Sequence, residues 1–185
     1  MQVSVTTTTL DLQADKPLPA IPRDRPYRLM RSQTVCPELN RFLYAAVGFR
    51  WCWYERLAWD YATWLDYLDD PDVATWIGYQ EGTPIGYFEL DRDAAGSVEI
   101  AYFGLLPSAI GKGLGAILLS DAITAARGFG NGHVWVHTCT LDHPAALPNY
   151  LDRGFEVREV THSDEELPEE PLQPWQGANL AVCRT

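Results

Sequence analysis

The sequence has little positive charge. Its 185 residues include 14 lysines and arginines but 25 aspartates and glutamates, which gives a net charge of −11 at pH 7. A surface with this excess of carboxylates repels phosphate groups, so we expect no binding to nucleic acid or to an anionic membrane surface. The same excess attracts cations, and a cationic substrate therefore suits the chain.

Long hydrophobic runs and paired cysteines are also missing. No apolar stretch approaches the roughly 20 residues of a membrane-spanning helix, and the N-terminal residues lack the basic and apolar regions of a secretory signal peptide. The four cysteines, Cys36, Cys52, Cys139 and Cys183, show neither a CxxC pair nor the spacing of a metal site. We therefore expect a cytoplasmic protein with four reduced thiols.

The composition otherwise indicates one folded domain. Hydrophobic residues make up 46% of the chain and aromatic residues 12%, and a chain of this length can bury a sizeable core. Residues 1–24 are rich in Thr and then in Pro, so we predict a flexible N-terminal arm. The domain would then cover residues 25–185, with an acidic, proline-rich loop at 161–177 before a last short strand at 178–184.

Alternating strand and helix patterns fill the region between these segments. Hydrophobic spacing and turn residues predict the order β-α-α-β-β-β-α-β-α-β-β. The first helix has Pro37 in its first turn and Gly48 at its end, and apolar spacing predicts a second helix over 55–70. Hairpins followed by a βαβ crossover predict an α/β fold, in which a mixed sheet carries helices on both faces.

Three glycines, Gly111, Gly113 and Gly115, stand directly before the apolar-periodic run of a predicted helix. The start of a helix exposes about four unpaired amides and roughly half a positive charge, and glycines let a phosphate approach them closely. The loop has neither the G-K-[ST] ending of a P-loop nor the G-x-G-x-x-G spacing of a dinucleotide loop. It therefore predicts a cradle for a different diphosphate, and a plain tight turn is the alternative.

Two segments resemble motifs of the GCN5-related N-acetyltransferases. The segment GLLPSAIGKGLGAILLSDAI resembles the family's acetyl-CoA-binding motif, usually R/Q-x-x-G-x-G/A, with Gly113 and Gly115 in place. Ile110 stands where the family has Arg or Gln, which removes a side chain but keeps the backbone amides. The segment HPAALPNYLDRGF resembles N-x-x-A-x-x-x-Y-x-x-x-G-F, with Tyr150 in place and His143 instead of Asn. The resemblance extends over about residues 25–160.

The resemblance implies a GNAT fold with a central, splayed mixed sheet, and acetyl-CoA as the cofactor. The pantetheine arm would lie where the strand before the glycine loop bulges away from the strand after it, and Gly104 is the expected bulge. His143 follows Asp142 and precedes Pro144, so a role at a helix start is an equal alternative to cofactor contact. The residues that the resemblance assigns to cofactor binding are Phe103, Leu105, Ile110, Gly111, Lys112, Gly113, Leu114, Gly115 and His143.

The resemblance also implies catalytic roles for Tyr150 and Glu99. Tyr150 stands where many relatives have a tyrosine beside the CoA sulfur, and its phenol could protonate the departing thiolate; a core tyrosine is the alternative. Glu99 stands where the family's histone acetyltransferases have their general base, and a rim carboxylate is the alternative. His137 is a second candidate base, although a strand histidine with a structural role is the more common case. A metal site formed by His133, His137 and His143 is not expected.

Aromatic residues dominate the segment that borders the substrate in this family. Trp51, Trp53 and Tyr54 could form a cage for a cation or stack on an aryl group, whereas Trp59 and Trp64 are expected in the core. We therefore predict acetyl transfer from acetyl-CoA to a small cationic or aromatic primary amine. An enzyme that acetylates protein N-termini or lysines, and a catalytically idle acetyl-CoA sensor, are the alternatives. The expected partner is a small-molecule amine, and a homodimer is one oligomeric state that the protein could adopt.

Overall fold

The computed structural model describes residues 1–12, 15, 17–21, 23 and 26–168. Seven strands and four α-helices form within them. The strands are β1 (Gln2–Leu12), β2 (Arg28–Arg31), β3 (Val73–Gln80), β4 (Thr83–Arg92), β5 (Val98–Leu105), β6 (Val134–Cys139) and β7 (Glu156–Glu166). The helices are α1 (Pro37–Gly48), α2 (Tyr61–Leu68), α3 (Leu114–Phe129) and α4 (Ala146–Asp152). None of the helices in the described ranges is long and apolar enough to cross a membrane.

The strands form one sheet in the order β2-β3-β4-β5-β6-β1-β7. Neighbouring strands are antiparallel except for β5 and β6, which are parallel and are connected through α3. Successive residues of a strand face opposite sides of the sheet, so Tyr87 lies in the core cluster of α1 and Phe88 in that of α3. The predicted α/β fold, with a mixed sheet and helices on both faces, is confirmed.

The first strand corrects the N-terminal half of the flexible arm predicted over residues 1–24, and residues 13, 14, 16, 22 and 24 of that arm lie outside the described residues. β1 lies between β6 and β7, and it pairs with β6 over residues 7–12 and with β7 over residues 2–11. Leu10 and Leu12 of β1 are fully buried in the main core. Threonine is β-branched and favours strands, so the run of threonines suits a strand that is hydrogen-bonded on both edges.

β7 corrects the first part of the loop predicted over residues 161–177, and residues 169–177 of that loop lie outside the described residues. The strand continues to Glu166, and all 11 of its residues are exposed. Residues 2–6 of β1 and 161–166 of β7 extend beyond the end of β6 as a two-stranded segment, which we call the β1–β7 ribbon. Polar residues on both faces of the ribbon explain why its sequence is typical of a solvated loop. The strand predicted at 178–184 lies outside the described residues.

The second helix is shorter than predicted. Residues Glu55–Ala58 form a 3-10 turn, and α2 begins only at Tyr61. Asp60 is the N-cap of α2, and its side-chain oxygen accepts a hydrogen bond from the amide of Thr63 at 2.8 Å. A capping residue inside an apolar-periodic run therefore divides the helix predicted over 55–70 into two segments.

The strands β5 and β6 separate soon after they begin. Within the described chain they pair only at the first two residues of each strand. The bulge in β5 lies at Ala101, where the register with β4 shifts, and not at Gly104 as predicted. Gly104 is instead required for packing, because an added Cβ would lie 2.4 Å from the Cγ1 atom of Val47 in α1. The separation leaves a gap in the middle of the sheet.

Candidate active site

A cleft of about 800 Å³ opens where β5 and β6 separate. Its walls come from the loop after α1, the second half of β5, the glycine loop, the segment over residues 141–150 and the tip of the β1–β7 ribbon. Of the site residues predicted from the sequence, Glu99, Lys112 and Leu114 lie outside this lining. Those that line the cleft are Trp51, Trp53, Tyr54, Phe103, Leu105, Ile110, Gly111, Gly113, Gly115, His143 and Tyr150.

The glycine loop lies at the N-terminus of α3. Gly111 and Gly113 have φ angles of +78° and +72°, in the left-handed region that favours glycine. Gly113 is the N-cap of α3 and has no side chain to satisfy the first-turn amides, which are available to a phosphate. A Cβ added at Gly111 would meet no described atom within 4 Å, so the space beside the loop is open. These features fit the pyrophosphate of acetyl-CoA.

The residues between these glycines differ in what they can contribute. Ile110 lines the cleft, where the resembling family has a polar side chain. Lys112 is exposed beside the loop. Leu114 is only 1% exposed and packs with Ile85 and Ile117, so its side chain belongs to the core and only its backbone can face a cofactor.

The gap in the sheet leaves one edge of β5 available. Residues 102–105 pair with β4 on one side, and on the other side β6 has already moved away. A strand edge with free amides and carbonyls can bind an extended chain by strand-like hydrogen bonds. Phe103 and Leu105 lie on this segment and line the cleft. The pantetheine arm of acetyl-CoA, which carries two amide groups in an extended chain, fits this edge.

Tyr150 of α4 lies at the inner end of the cleft. It is only 5% exposed, and its ring packs edge-on against Phe103 at 6.2 Å and Phe155 at 5.8 Å between ring centroids. Burial raises the pKa of the Tyr150 phenol well above its ordinary value near 10, and the nearby Asp142 carboxylate adds to this effect. The hydroxyl group is therefore protonated throughout the range in which amines are acetylated. The packing role and the donor role are compatible at this position.

Glu99 and His137 form a hydrogen-bonded pair across the two separating strands. The Nδ1 atom of His137 lies 2.8 Å from an Oε1 atom of Glu99. An ionised carboxylate only accepts hydrogen bonds, so Nδ1 carries a proton, and in the neutral imidazole the lone pair is on Nε2. The hydrogen bond to Glu99 raises the pKa of His137 above its ordinary value, against the opposing effect of burial. His137 lines the cleft with a side chain that is 51% exposed, whereas Glu99 lies behind it.

The three aromatic residues predicted to contact the substrate line the cleft on the side of α1. Trp51 meets the ring of His143 edge-on at 5.1 Å between centroids, which joins the two sides of the cleft. Trp53 packs against Tyr102 at 5.0 Å. The Nδ1 atom of His143 also accepts a hydrogen bond from the amide of Ala145 at 3.0 Å, so His143 both shapes the start of this segment and faces the cleft.

Sequence reasoning missed the carboxylates that line the cleft. Among the described residues of the lining, none is lysine or arginine, and five are acidic: Glu55, Asp142, Asp152, Glu165 and Glu166. Asp142 is held by the hydroxyl of Thr138 at 2.7 Å and the amide of Cys139 at 3.0 Å. Glu165 and Glu166 belong to the β1–β7 ribbon, and no sequence signal placed them here because their segment was predicted as a loop. Within the described ranges no group of three or more His, Cys, Asp or Glu side chains could hold a metal ion.

Comparison with known proteins gives both a family and a fold. The family model described as "Acetyltransferase (GNAT) family" matches residues 35–155. No curated protein matches the sequence. The chain is similar in structure to a GCN5-related N-acetyltransferase from Kribbella flavida, with 18% identity and a TM-score of 0.60 over 97% of this chain and 62% of that one. It is also similar to a GCN5-related N-acetyltransferase from Sphaerobacter thermophilus, with 16% identity and a TM-score of 0.59 over 86% of this chain and 51% of that one.

A third similar structure is a tandem GNAT protein from the clavulanic acid biosynthesis pathway, solved without AcCoA, with 16% identity and a TM-score of 0.51 over 87% of this chain and 53% of that one. The chain therefore spans between half and two thirds of the length of these three proteins. At such identities the similarity shows the fold alone. The family model, however, covers well over half of the chain and includes the glycine loop and the segment of Tyr150. The resemblance found in those two segments is confirmed, and the chain belongs to the acetyltransferase (GNAT) family.

Proposed function

We propose that the protein is an acetyl-CoA-dependent N-acetyltransferase whose acceptor is a small, positively charged primary amine. The observation that carries this proposal is the cleft, which joins a phosphate cradle, an open strand edge, a buried phenol and a histidine base within a lining rich in carboxylates. Acetyl-CoA supplies an acetyl group activated as a thioester. The residues of the chain then bind and orient the two substrates and move two protons.

His137 is the proposed base, and Glu99 is its partner. A cationic amine enters as an ammonium ion and must lose a proton before it can act as a nucleophile. The lone pair on Nε2 of His137 accepts that proton. Glu99 fixes the tautomer and stabilises the imidazolium that forms, because its carboxylate accepts the hydrogen bond from Nδ1 at 2.8 Å. The two candidate bases of the sequence thus act as one unit.

Tyr150 is the proposed acid. Its hydroxyl donates a proton to the departing sulfur, and burial of the site raises the pKa of a thiolate as well as that of the phenol, so transfer between them stays feasible. The backbone of Phe103 and Leu105 lies on the open edge of β5, where amide groups can stabilise charge on a carbonyl oxygen.

The acceptor site is proposed to lie between the aromatic wall and the ribbon. Trp51, Trp53 and Tyr54 line the cleft, and aromatic rings attract a cation. Glu165 and Glu166 add negative charge at the mouth of the cleft and would attract an ammonium group before it reaches His137. A cationic amine meets a favourable field along this path, whereas an anionic acceptor is repelled.

A catalytically idle acetyl-CoA sensor is the second candidate, and the observation that favours it is Ile110. This apolar side chain lines the cleft where the family motif has Arg or Gln. Measuring the steady-state release of the CoA thiol distinguishes the enzyme from the sensor. A sensor binds acetyl-CoA but does not turn it over with any amine.

We expect thiol release with cationic amines, and we expect it to weaken when the ribbon carboxylates are neutralised. Polyamines, aminoglycosides, aromatic amines and amino acids would be compared at equal concentration. In the double variant Glu165→Gln and Glu166→Gln, KM for a polycationic amine should rise about five- to tenfold, the combined effect of two exposed charges. The affinity for acetyl-CoA should stay unchanged, because its phosphates bind at the glycine loop.

The matched control is the double variant Glu156→Gln and Glu159→Gln, which removes two charges from the other end of the same strand, outside the cleft lining. KM should stay within about twofold of the wild-type value in this control. An equal rise of KM in both double variants would show that KM depends on the net charge of the protein and not on the position of Glu165 and Glu166. Turnover of neutral aromatic amines alone would contradict a cationic acceptor.

Glu99→Gln is expected to move the pH dependence of kcat/KM and to lower its plateau. Since Glu99 raises the pKa of His137, a neutral amide lets the imidazole lose its proton at a lower pH. The rise of kcat/KM with pH should therefore begin at lower pH, and the weaker base should lower the plateau about tenfold. Asp11→Asn is the control, since Asp11 lies 3.6 Å from the Nε2 atom of His133 on the same sheet. An unchanged profile in Glu99→Gln would rule out the paired base.

A further inference from the structure

A buried ion pair lies directly behind the aromatic wall of the cleft. Arg56 belongs to the 3-10 turn at Glu55–Ala58 and is 9% exposed, and Glu89 of β4 is 1% exposed. The Nη1 atom of Arg56 donates a hydrogen bond to the Oε1 atom of Glu89 at 2.6 Å. Two charges are thus removed from water at a position that sequence analysis did not single out.

Both members of the pair have further partners: Glu89 accepts other hydrogen bonds, and Arg56 lies among aromatic rings. Glu89 also accepts hydrogen bonds from the hydroxyl of Tyr67 at 2.8 Å and from Asn40 Nδ2 at 3.3 Å. The guanidinium carbon lies within 5 Å of three ring centroids, at 4.1 Å from Tyr67, 4.3 Å from Tyr102 and 4.7 Å from Trp59. A planar guanidinium suits such an aromatic box in a way that a lysine ammonium does not.

The segment that Arg56 anchors has an irregular backbone and is held mainly through its side chains. Cys52 has a left-handed φ of +59°, a 3-10 turn follows, and Trp59 is extended. Residues 52–59 therefore have only the short-range backbone hydrogen bonds of a turn, such as that from Leu57 to Tyr54, and they include Trp53, Tyr54 and Glu55 of the cleft wall. Their position depends on side-chain anchors, of which the Arg56–Glu89 pair is buried and charged.

The same network continues into the cleft. The amide of Arg56 donates to the hydroxyl of Tyr44 at 3.4 Å. The ring of Tyr102 packs on Tyr44 at 5.1 Å and on Trp53 at 5.0 Å, and all three of these residues line the cleft. Tyr102 belongs to β5, next to Phe103 on the open strand edge. Arg56 therefore connects the acceptor wall to the strand that faces the cofactor.

We propose that Arg56, held by Glu89, is a positioning residue that fixes the acceptor wall relative to β5. This inference rests on the proposed function, since the wall is proposed to bind the amine. Arg56 does not touch the substrate. It sets the distance between the rings that receive the amine and the strand beside which the thioester lies, so its replacement weakens acceptor binding and leaves cofactor binding intact.

The test uses Arg56→Lys, which keeps the charge beside Glu89 but loses the planar stacking. KM for the best amine should rise about tenfold, the scale of a small misplacement of a substrate-binding wall, with the Kd for acetyl-CoA unchanged. Hydrogen exchange should increase within residues 52–59. Arg92→Lys is the matched control, because Arg92 is paired with Asp72 and lies over Phe129 at 4.9 Å, away from the cleft.

Chemical rescue separates positioning from general stability. In Arg56→Ala, added ethylguanidinium can refill the aromatic box beside Glu89 and should lower the amine KM towards the wild-type value. A folded Arg56→Lys variant with wild-type KM for the amine and wild-type hydrogen exchange in residues 52–59 would overturn the proposal. An equal loss of affinity for the amine and for acetyl-CoA would also overturn it. If the wild-type protein turns over no amine, the proposed function fails, and faster exchange confined to 52–59 in Arg56→Lys still supports the anchoring role.

Discussion

Gly113→Glu is expected to abolish acetyl-CoA binding. Gly113 is the N-cap of α3, where unpaired amides and the positive end of the helix dipole would hold the pyrophosphate. A carboxylate on this residue would occupy the same amides and repel the phosphates. The φ of +72° adds strain of about 1–3 kcal/mol for a residue with a side chain. Isothermal calorimetry with acetyl-CoA measures the loss directly.

The control for this variant is Gly82→Glu, which repeats the substitution at a similar backbone conformation far from the cleft. Gly82 has a φ of +80° in the turn between β3 and β4, and an added Cβ would meet no described atom within 4 Å. It should lose a similar amount of stability and keep full affinity. Gly113→Ala adds strain without charge and should retain measurable binding. Wild-type affinity in Gly113→Glu would exclude the loop as the phosphate site.

The glycine loop could be predicted because its signal is local. Residues 108–123 contain the glycines, the helix start and the apolar-periodic run. Hydrogen bonds between residues that are close in sequence form the loop and the first turns of α3. The same holds for α1, whose Pro37 and Gly48 mark its ends. Where a single segment determines its own conformation, its sequence is enough to place it.

The β1–β7 ribbon could not be predicted because its stability comes from pairing between two segments that lie far apart in the sequence. Thr6 of β1 pairs with His162 of β7, and residues 161–166 of β7 are all polar, without the alternating apolar pattern of a half-buried strand. Backbone hydrogen bonds between β1 and β7 replace that pattern. The carboxylates at the tip of the ribbon therefore reached the cleft without any sequence signal.

The Glu99–His137 pair shows the same limit within the site. Each residue was a candidate base by itself, but 38 positions separate them in sequence. Their contact follows from the parallel register, in which Glu99 lies beside Trp135 and His137 is the next residue on the same face of β6. Register between strands depends on the packing of the whole sheet. Each residue could be predicted as a candidate base, but the hydrogen bond between them could not be predicted from the sequence.

Tyr150→Phe is expected to lower kcat about 100-fold, the usual scale of a lost general acid, while acetyl-CoA affinity stays close to wild type. The ring contacts with Phe103 and Phe155 need no hydroxyl, so Phe preserves the packing of the inner end of the cleft. A tyrosine that serves only packing would instead show wild-type kcat and about 1 kcal/mol less stability. Measuring kcat and the melting temperature on the same variant distinguishes these outcomes.

The matched control for the proton donor is Tyr87→Phe, which removes another buried phenol hydroxyl from the sheet. Tyr87 is 1% exposed, belongs to the core cluster of α1 and lies outside the cleft lining, and burial raises its pKa as it does for Tyr150. Its loss should change stability and leave kcat unaltered. Equal kcat in Tyr150→Phe and Tyr87→Phe would show that water protonates the thiolate. A 100-fold difference between two such similar substitutions would assign the proton to the hydroxyl of Tyr150, which lines the cleft, whereas Tyr87 does not.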